Sequence, residues 1–300
     1  MFANRSDNRD WLHHFFDKKR NDIHMPSNQE DPSTEEYLPL ISVLFITYNR
    51  LDLLQKTLDC FLKNTTYPRN RLQLIVCDDA SPRFVQEEIR KMPFDIFLCS
   101  LVNRGLGANT NQGLAAATGD FIFQLQDDWL IEQPSDYLEQ GVWALRRFEH
   151  LQFIRYTVKG TYDYFPVLNY EDNRHQKKNI QFFCKRQSDV AFSFLIYSDQ
   201  PHLKKASFHR QIGPYAEGIN MEDTEVDMSR RFLKSTAEAA VLLQYEDVFR
   251  HVGAEHSFRT LSLKDRLADL LNRTPILSRF FSIYTETKAK IRHHLFWKQD

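Results

Sequence analysis

The sequence has few cysteines and no long apolar run. Its 300 residues include four cysteines, and because no two of them form a CxxC pair, a zinc ribbon or a dense disulfide framework is not expected. No stretch approaches the roughly 20 apolar residues of a membrane-spanning helix. The first 22 residues also lack the apolar segment of a secretory signal. We therefore expect a cytoplasmic protein with reduced thiols.

The sequence also lacks an excess of charge of either sign. Lys and Arg number 39 against 40 Asp and Glu, a formal net charge of -1. Nucleic-acid-binding proteins usually show a basic footprint, so we expect no nucleic-acid partner. An anionic ligand would have to be neutralised locally, by a few side chains or a bound cation.

From residue 40 onward, apolar, β-branched runs alternate with segments whose apolar residues have helical spacing. The runs LISVLFIT, RLQLIVCDD, FDIFLCSL and DFIFQLQ indicate buried strands. Between the first two, a predicted helix carries Leu54, Leu58, Phe61 and Leu62 on one face. This alternation predicts an α/β fold with a parallel sheet.

Polar residues follow each predicted strand. In open α/β sheets, ligands bind outside the carboxyl ends of the strands, so one ligand could contact all of these groups. They are Thr47, Tyr48 and Asn49, then Asp78 and Asp79, then Asn103 to Asn111, and finally Asp127 and Asp128.

Two acidic clusters each allow two interpretations. Asp127 and Asp128 could bind a hard divalent cation, Mn²⁺ or Mg²⁺, or could only start a turn and cap the next helix. The neighbouring polar strand ends favour the cation. The later stretch NMEDTEVDMS could supply a general base or form a solvated acidic helix face; its carboxylates are Glu222, Asp223, Glu225 and Asp227.

Four stretches, in this order and spacing, resemble the motifs of family 2 glycosyltransferases with the GT-A fold. They are ISVLFITYNR, LIVCDDASP, NRGLGANTNQGLAAATGDFIFQLQDDW and IGPYAEGINMEDTEVDMSRRF, and the resemblance spans Leu40 to Gly253. It implies a mixed, mostly parallel sheet flanked by helices. It also implies a metal-dependent, inverting transfer of a sugar from a nucleoside-diphosphate sugar, UDP-sugars being favoured. The acceptor would be a hydroxyl on a sugar or a lipid-linked molecule, in polysaccharide or glycoconjugate synthesis.

The resemblance also implies roles for single residues. Tyr48 would line the base pocket, and Asp79 would accept a hydrogen bond from a uracil-like edge or the ribose. Asp127 and Asp128 occupy the place of the family's DxD motif, with Asp128 on the metal. His251 resembles a late histidine that some GT-A enzymes add to the metal shell, and His256 is its neighbour. The remaining expected donor contacts are Thr47, Asn49, Arg50, Asn103, Gly107, Asn111 and Asp127.

The general base of the transfer is expected on the stretch TEVDMSRRF. Glu225 falls at the base position with Arg231 in register, and Asp223 is the second choice. The glycines of NRGLGANTNQG follow the third predicted strand, not the first, which disfavours a dinucleotide fingerprint. We expect them to let the backbone approach the donor closely.

These expectations divide the chain into four parts: a polar N-terminal extension at 1–39, a nucleotide-sugar-binding half at 40–150, an acceptor-binding and catalytic half of the same domain at 151–260, and basic amphipathic C-terminal helices at 261–300. The last part could pack on the domain or lie on the inner face of an anionic membrane.

Two other functions stay open. A nucleotidyltransferase would favour a glycine-rich loop after the first strand, which is missing; a catalytically inactive nucleotide-sugar binder or scaffold would fit departures from the family pattern at Thr110, Gln126 and Glu225.

Overall fold

The structure is a computed structural model that describes residues 38–157, 167–171, 177–183 and 197–253. The expected N-terminal extension up to residue 37, the expected C-terminal helices from residue 261 and His256 lie outside these residues. Within the described ranges, no helix combines the length and apolar character needed to cross a membrane.

The first half of the described chain alternates strands with helices. In chain order the elements are β1 (Ile41–Thr47), α1 (Leu51–Asn64), β2 (Leu72–Asp78), α2 (Arg83–Ile89), β3 (Ile96–Cys99), α3 (Gly105–Ala116), β4 (Phe121–Gln126), β5 (Trp129–Ile131) and α4 (Tyr137–Arg147). All seven residues of β1 are buried, as expected for a central strand that is covered on both faces.

The second half contains more strands than helices. Its elements are β6 (Leu151–Arg155), β7 (Leu168–Glu171), β8 (Lys177–Phe182), β9 (His202–Lys205), α5 (Phe208–Ile212), α6 (Met221–Lys234), β10 (Glu238–Leu242) and β11 (Phe249–His251). The helix α6 carries the acidic stretch in which a general base was expected.

Nine of the described strands form one sheet, in the order β3-β2-β1-β4-β9-β6-β10-β8-β7. The strands β3, β2, β1 and β4 run parallel. The strand β9 is antiparallel to both of its neighbours, β4 and β6. The expected mixed sheet with flanking helices is confirmed, and both predicted halves of the domain contribute strands to it.

Side chains of β1 alternate between the two faces of the sheet. Phe45 packs in the larger apolar cluster with Leu58 and Phe61 of α1, and the rings of Phe45 and Phe61 lie 5.4 Å apart, edge to face. Leu44 belongs to a second cluster on the side of α3. One predicted core residue is wrong: Leu62 is 38% exposed, because it lies at the edge of the helical stripe that Leu54, Leu58 and Phe61 form.

Candidate active site

The candidate site lies at the carboxyl edge of the parallel strands. Thr47 at the end of β1 is in register with Asp78 at the end of β2, and Ile46 is in register with Gln126 at the end of β4. Since β9 runs antiparallel to β4, the segment that precedes β9 reaches the same edge. The topology therefore brings groups from both halves of the sequence together.

Asp127 is fixed by hydrogen bonds on three sides. The Thr47 hydroxyl donates to its Oδ2 over 2.7 Å, the Thr57 hydroxyl donates to its carbonyl oxygen over 2.7 Å, and its main-chain N–H donates to the carbonyl of Ile46 over 3.1 Å. Burial raises the pKa of Asp127 to about 6, although Thr47 and Arg50 act in the opposite direction. The start of the acidic pair is thus rigidly attached to β1 and α1.

Arg50 bridges the two carboxylates of the acidic pair. Its Nη1 lies 3.2 Å from Asp127 Oδ1 and 2.7 Å from Asp128 Oδ2. The two aspartate side chains are almost completely buried, whereas 23% of the Arg50 side chain is exposed. A protein cation therefore lies between the two carboxylates, where a divalent metal was expected.

The second carboxylate of the pair faces His251. Pairing of β11 with β5 places His251 opposite Trp129, and the two rings lie 4.9 Å apart. His251 Nε2 is 3.5 Å from Asp128 Oδ2. The other oxygen, Asp128 Oδ1, is buried and accepts no hydrogen bond.

Gly253 permits this arrangement, and it was not singled out from the sequence. A Cβ atom at Gly253 would lie 2.1 Å from Asp128 Oδ2 and 2.9 Å from His251 Nε2, so a side chain here would displace both groups. The sequence gives one indication of this role: Gly253 lies two residues after His251, at the end of the region that resembles the glycosyltransferase family.

The residues present fit a hard divalent cation. Two carboxylates and one imidazole are suitable ligands for Mn²⁺, and Asp128 Oδ1 is a buried acceptor without a partner. Among the described residues no three His, Cys, Asp or Glu side chains already form a ready-made metal cluster. The cation between Asp127 and Asp128 is instead the guanidinium of Arg50.

Asp79 caps the helix α3. Its two carboxylate oxygens accept from the main-chain N–H groups of Arg104 and Gly105, each over 2.8 Å. Gly105 has φ +83°, a value that favours glycine. A carboxylate at a helix N-terminus is stabilised by the partial positive charge there, so Asp79 has a structural task besides the expected contact with the donor.

Two other expected donor contacts hold a neighbouring loop. Asn111 Oδ1 accepts from the N–H of Tyr215 over 2.9 Å, and its Nδ2 donates to the carbonyl of Tyr215 over 3.0 Å. A Cβ atom on Gly107 would lie 2.1 Å from the carbonyl oxygen of Ala216. Both residues thus fix the loop that leads to α6.

The remaining expected donor residues lie on the rim. Tyr48 is half exposed, Asn103 is exposed, and Asn49 adopts φ 52° directly after β1. Asn49 donates its main-chain N–H to the Ser81 hydroxyl over 2.7 Å. This bond joins the loops that follow β1 and β2.

The two candidates for the base differ in their surroundings. Glu225 Oε1 accepts from the N–H of Asp199 over 2.8 Å and from the Ser198 hydroxyl over 3.1 Å. Burial raises the pKa of Glu225 above that of an exposed glutamate. Asp223 lies in the first turn of α6 and exchanges hydrogen bonds with the capping residue Asn220.

Arg231 packs beside its own helix. It bonds the carboxylate of Asp227 over 2.6 Å and the carbonyl of Ile212 over 2.5 Å. The register of Arg231 helped to select Glu225 from the sequence, and its contacts are structural.

Comparisons with known proteins agree with this architecture. The chain is 36% identical over 107 residues to the "Putative glycosyltransferase EpsH" of Bacillus subtilis, covering 34% of this chain and 29% of EpsH. It therefore spans less than a third of that relative's length.

Two solved structures of S. aureus TarS 1–349 share the fold. One, at 15% identity, has a TM-score of 0.52 and covers 79% of this chain and 66% of TarS 1–349. The second, in complex with UDP, is 16% identical with a TM-score of 0.50 and covers 68% and 57%.

The family assignment rests on a longer match. The model of "Glycosyl transferase family 2" matches residues 42–203, more than half of the chain. This range includes all of β1 except Ile41, the strands β2 to β4, the acidic pair and the segment before β9. The resemblance found in the sequence is confirmed: the chain belongs to glycosyl transferase family 2.

Proposed function

We propose that the protein is an inverting, metal-dependent glycosyltransferase that moves a sugar from a nucleoside-diphosphate sugar to an acceptor hydroxyl. One observation carries the proposal: a buried acidic pair with an unpartnered oxygen, Asp128 Oδ1, lies at the same sheet edge as a half-buried carboxylate, Glu225. Family membership supports the reaction class.

The donor is proposed to bind along the ends of β1, β2 and β4. Tyr48 supplies an exposed ring for the base, and Asp79, whose carboxylate caps α3, would accept a hydrogen bond from a uracil-like edge or the ribose. Asp127 and Asp128, with His251, would hold Mn²⁺ or Mg²⁺. When bound, the cation would act as a Lewis acid that stabilises charge on the diphosphate as the glycosidic bond breaks. Donors with UDP come first in the test, because UDP is the ligand of one TarS structure.

Glu225 is proposed to act as the general base. Its Oε1 is anchored by two donors from the segment before β9, whereas its Oε2 receives no hydrogen bond from the described residues. Oε2 can therefore take the proton of the acceptor hydroxyl while that oxygen attacks the anomeric carbon from the side opposite the leaving group. Asp223 is the weaker candidate because it is engaged in the helix cap.

The acceptor is proposed to be a sugar or a lipid-linked molecule bound by the half of the domain from residue 151 onward, as in polysaccharide or glycoconjugate synthesis. Contact with the inner face of a membrane would involve the basic segment 261–300, outside the described residues. We also propose that the domain divides into a donor half and an acceptor half. The sheet order supports this division, because β9 of the second half lies between β4 of the first half and β6 of the second.

The test is release of nucleoside diphosphate from UDP-, GDP- and dTDP-sugars with Mn²⁺ and candidate acceptors. We expect one donor class to turn over. Asp128→Asn should lose metal-dependent donor binding, and Glu225→Gln should bind the donor normally but transfer about 10²- to 10⁴-fold more slowly. Glu87→Gln, an exposed carboxylate on α2, is the matched control. The anomeric configuration of the product, read by proton NMR, checks inversion.

The second candidate is a catalytically inactive nucleotide-sugar binder. Arg50 favours it, because its guanidinium pairs with one oxygen of each carboxylate without a metal. Donor binding without turnover of any donor, with or without acceptors, would support this candidate and contradict the transferase.

A further inference from the structure

Gln200 carries a side-chain donor that the described part of the fold leaves unused. It lies in the segment before β9, directly after Ser198 and Asp199, whose hydroxyl and main-chain N–H anchor Glu225 Oε1. The residue is partly exposed. Its side-chain and main-chain oxygens both accept hydrogen bonds, whereas its Nε2 donates none to any described residue. A donor therefore remains available beside the proposed base.

The orientation of the Gln200 amide is fixed by two donors. The Arg155 guanidinium and the Thr157 hydroxyl both donate to the side-chain oxygen Oε1. A guanidinium has donors and no acceptor, so the amide atom that faces Arg155 must be the oxygen. Arg155 and Thr157 are both buried. Nε2 therefore lies on the other side of the amide group, away from these two residues.

The main chain of Gln200 is fixed as well. Its carbonyl oxygen is 2.7 Å from Nδ1 of His202, the first residue of β9. A carbonyl only accepts, so this nitrogen carries the proton, and Nε2 of the same ring can accept from the Tyr197 hydroxyl over 3.2 Å. Burial lowers the pKa of His202 well below its ordinary value and keeps the ring neutral. Gln200 is thus held in place at its main chain and at its side-chain oxygen.

Gln200 lies on the side of the candidate site where an acceptor is expected. The strand β4 ends directly before the acidic pair, and β9, which lies between β4 and β6, begins at the same edge. Arg155 at the end of β6 is in register with His202. In an inverting transfer the acceptor attacks from the side opposite the leaving diphosphate. An acceptor that approaches over β9 and β6 therefore meets Gln200.

Glu225 and Gln200 share their surroundings. Burial raises the pKa of Glu225, whereas the bonds from Asp199 and Ser198 and the charge of Arg155 lower it. Arg155 thus acts on Glu225 and donates to Gln200. The segment before β9 consequently combines a carboxylate for one hydroxyl of an acceptor with an amide N–H for a second oxygen.

We propose that Gln200 is an acceptor-binding residue whose Nε2 donates a hydrogen bond to a second oxygen of the acceptor, next to the hydroxyl that Glu225 deprotonates. The reacting end of the acceptor is accordingly a sugar, free or attached to a lipid, because a sugar ring carries hydroxyls on neighbouring carbons and a simple alcohol does not. The proposal rests on the proposed function. In the transfer, the proton of the attacking hydroxyl goes to Glu225 as the new C–O bond forms, and the nucleoside diphosphate leaves with the electron pair of the old bond. Gln200 exchanges no proton.

Two variants remove the donor in different ways. Gln200→Glu keeps an oxygen for Arg155 and Thr157 but has no N–H, and Gln200→Met keeps the length and removes both polar atoms. Both should bind the acceptor about 2- to 10-fold more weakly, the effect of one neutral hydrogen bond, with unchanged affinity for UDP. Gln211→Glu is the matched control, since Gln211 is an exposed glutamine on α5 that bonds Thr236, and it should leave acceptor affinity unchanged.

The assay is binding of methyl glycosides to protein saturated with UDP and Mn²⁺, followed by saturation-transfer difference NMR. The probes are the methyl glycosides of glucose, galactose, mannose and N-acetylglucosamine, each compared with analogues in which one hydroxyl is replaced by hydrogen. One such analogue should bind the wild type more weakly by the same factor as the Gln200 variants lose, and Gln200→Met should lose nothing further with it. This non-additivity identifies the oxygen that Gln200 contacts. A purely structural role of Gln200 would not produce it.

The outcomes separate this proposal from the proposed transfer. Circular dichroism first verifies that each variant is folded. The acceptor contact is wrong if no glycoside binds the wild type, if both folded variants bind every glycoside as the wild type does, or if the losses multiply for every analogue. If the coupled loss is observed but no donor turns over, the transferase fails and the contact with Gln200 stands. If sugar is transferred with a wild-type acceptor KM in both variants, the transferase stands and the contact fails.

Discussion

Replacement of Arg50 by methionine should make the protein bind Mn²⁺ more tightly in the absence of donor. The Arg50 guanidinium donates to Asp128 over 2.7 Å and to Asp127 over 3.2 Å. A divalent cation can be held by both carboxylates only after the guanidinium has moved away. Methionine has a similar length but no charge and no donor, so it removes this competition.

The magnitude follows from the bonds that must be broken. A hydrogen bond to a charged group contributes about 1.5–3 kcal/mol net, which corresponds to about 10- to 100-fold in affinity. We take the lower end, because 23% of the Arg50 side chain is exposed and solvent weakens the pair. Without metal, the variant should be less stable than the wild type, because two buried carboxylates lose their counter-charge. An Mn²⁺ concentration 100 times Kd should restore about 2.7 kcal/mol.

The assay is titration with Mn²⁺ followed by electron paramagnetic resonance of the free ion, combined with thermal unfolding with and without Mn²⁺. The control is Arg104→Met, which removes an exposed guanidinium that pairs with Glu217 over 2.7 Å and should leave Mn²⁺ affinity unchanged. If Arg50→Met binds Mn²⁺ no more tightly than the wild type, Arg50 and the metal do not compete, and the cation site lies elsewhere.

Three further predictions concern the same edge of the sheet. Gly253→Ala should abolish Mn²⁺ binding in the titration, because its Cβ would lie 2.1 Å from Asp128 Oδ2; normal affinity would exclude His251 and Asp128 as a shared ligand set. The transfer rate should fall as the pH drops through the pKa of Glu225, which burial raises, since the base must be deprotonated; a rate profile unchanged in Glu225→Gln would contradict this. Asn111→Ala should reduce the free energy of unfolding in urea by about 1–3 kcal/mol through loss of two bonds to the main chain of Tyr215, and an unchanged midpoint would show that the loop does not depend on them.

The sequence predicted those features that depend on local pattern. Runs such as LISVLFIT became buried strands, and their alternation with helices was enough to place Thr47, Asp79 and Asp127 at one edge of a parallel sheet. This placement needed only the alternation of strands and helices, because the carboxyl ends of parallel strands lie at the same edge of a sheet. The one failure in the core, Leu62, concerned the width of a helical stripe, which periodicity alone defines poorly.

Pairing between distant segments was not predictable in the same way. The segment HLKK contains two lysines, yet as β9 it enters the sheet between β4 and β6 and buries Lys204 completely. Its burial depends on Gln124, 80 residues earlier, which looks from sequence like an interruption of an apolar run. Local patterns indicate which residues share a face of a strand but not which strand lies beside it. The contacts of Gln124 with Lys204 and Asp199 therefore could not be derived from the sequence. Arg50 was expected to contact the donor, and its pairing with the acidic pair likewise required the structure.

Two buried carboxylate sites lie near cations of different accessibility: the acidic pair bonds Arg50, and Asp199 is linked to Lys204 through Gln124. Arg50 lies at the surface end of the acidic pair with part of its side chain in solvent, so it can leave without passing through the core, as the proposed binding of a divalent cation requires. Lys204 is completely buried among tyrosines and Gln124, so its ammonium group cannot leave without unfolding β9. The chain therefore combines a partly exposed cation at Asp128 with a completely buried one beside Gln124, and its near-zero net charge leaves both pairings to local contacts.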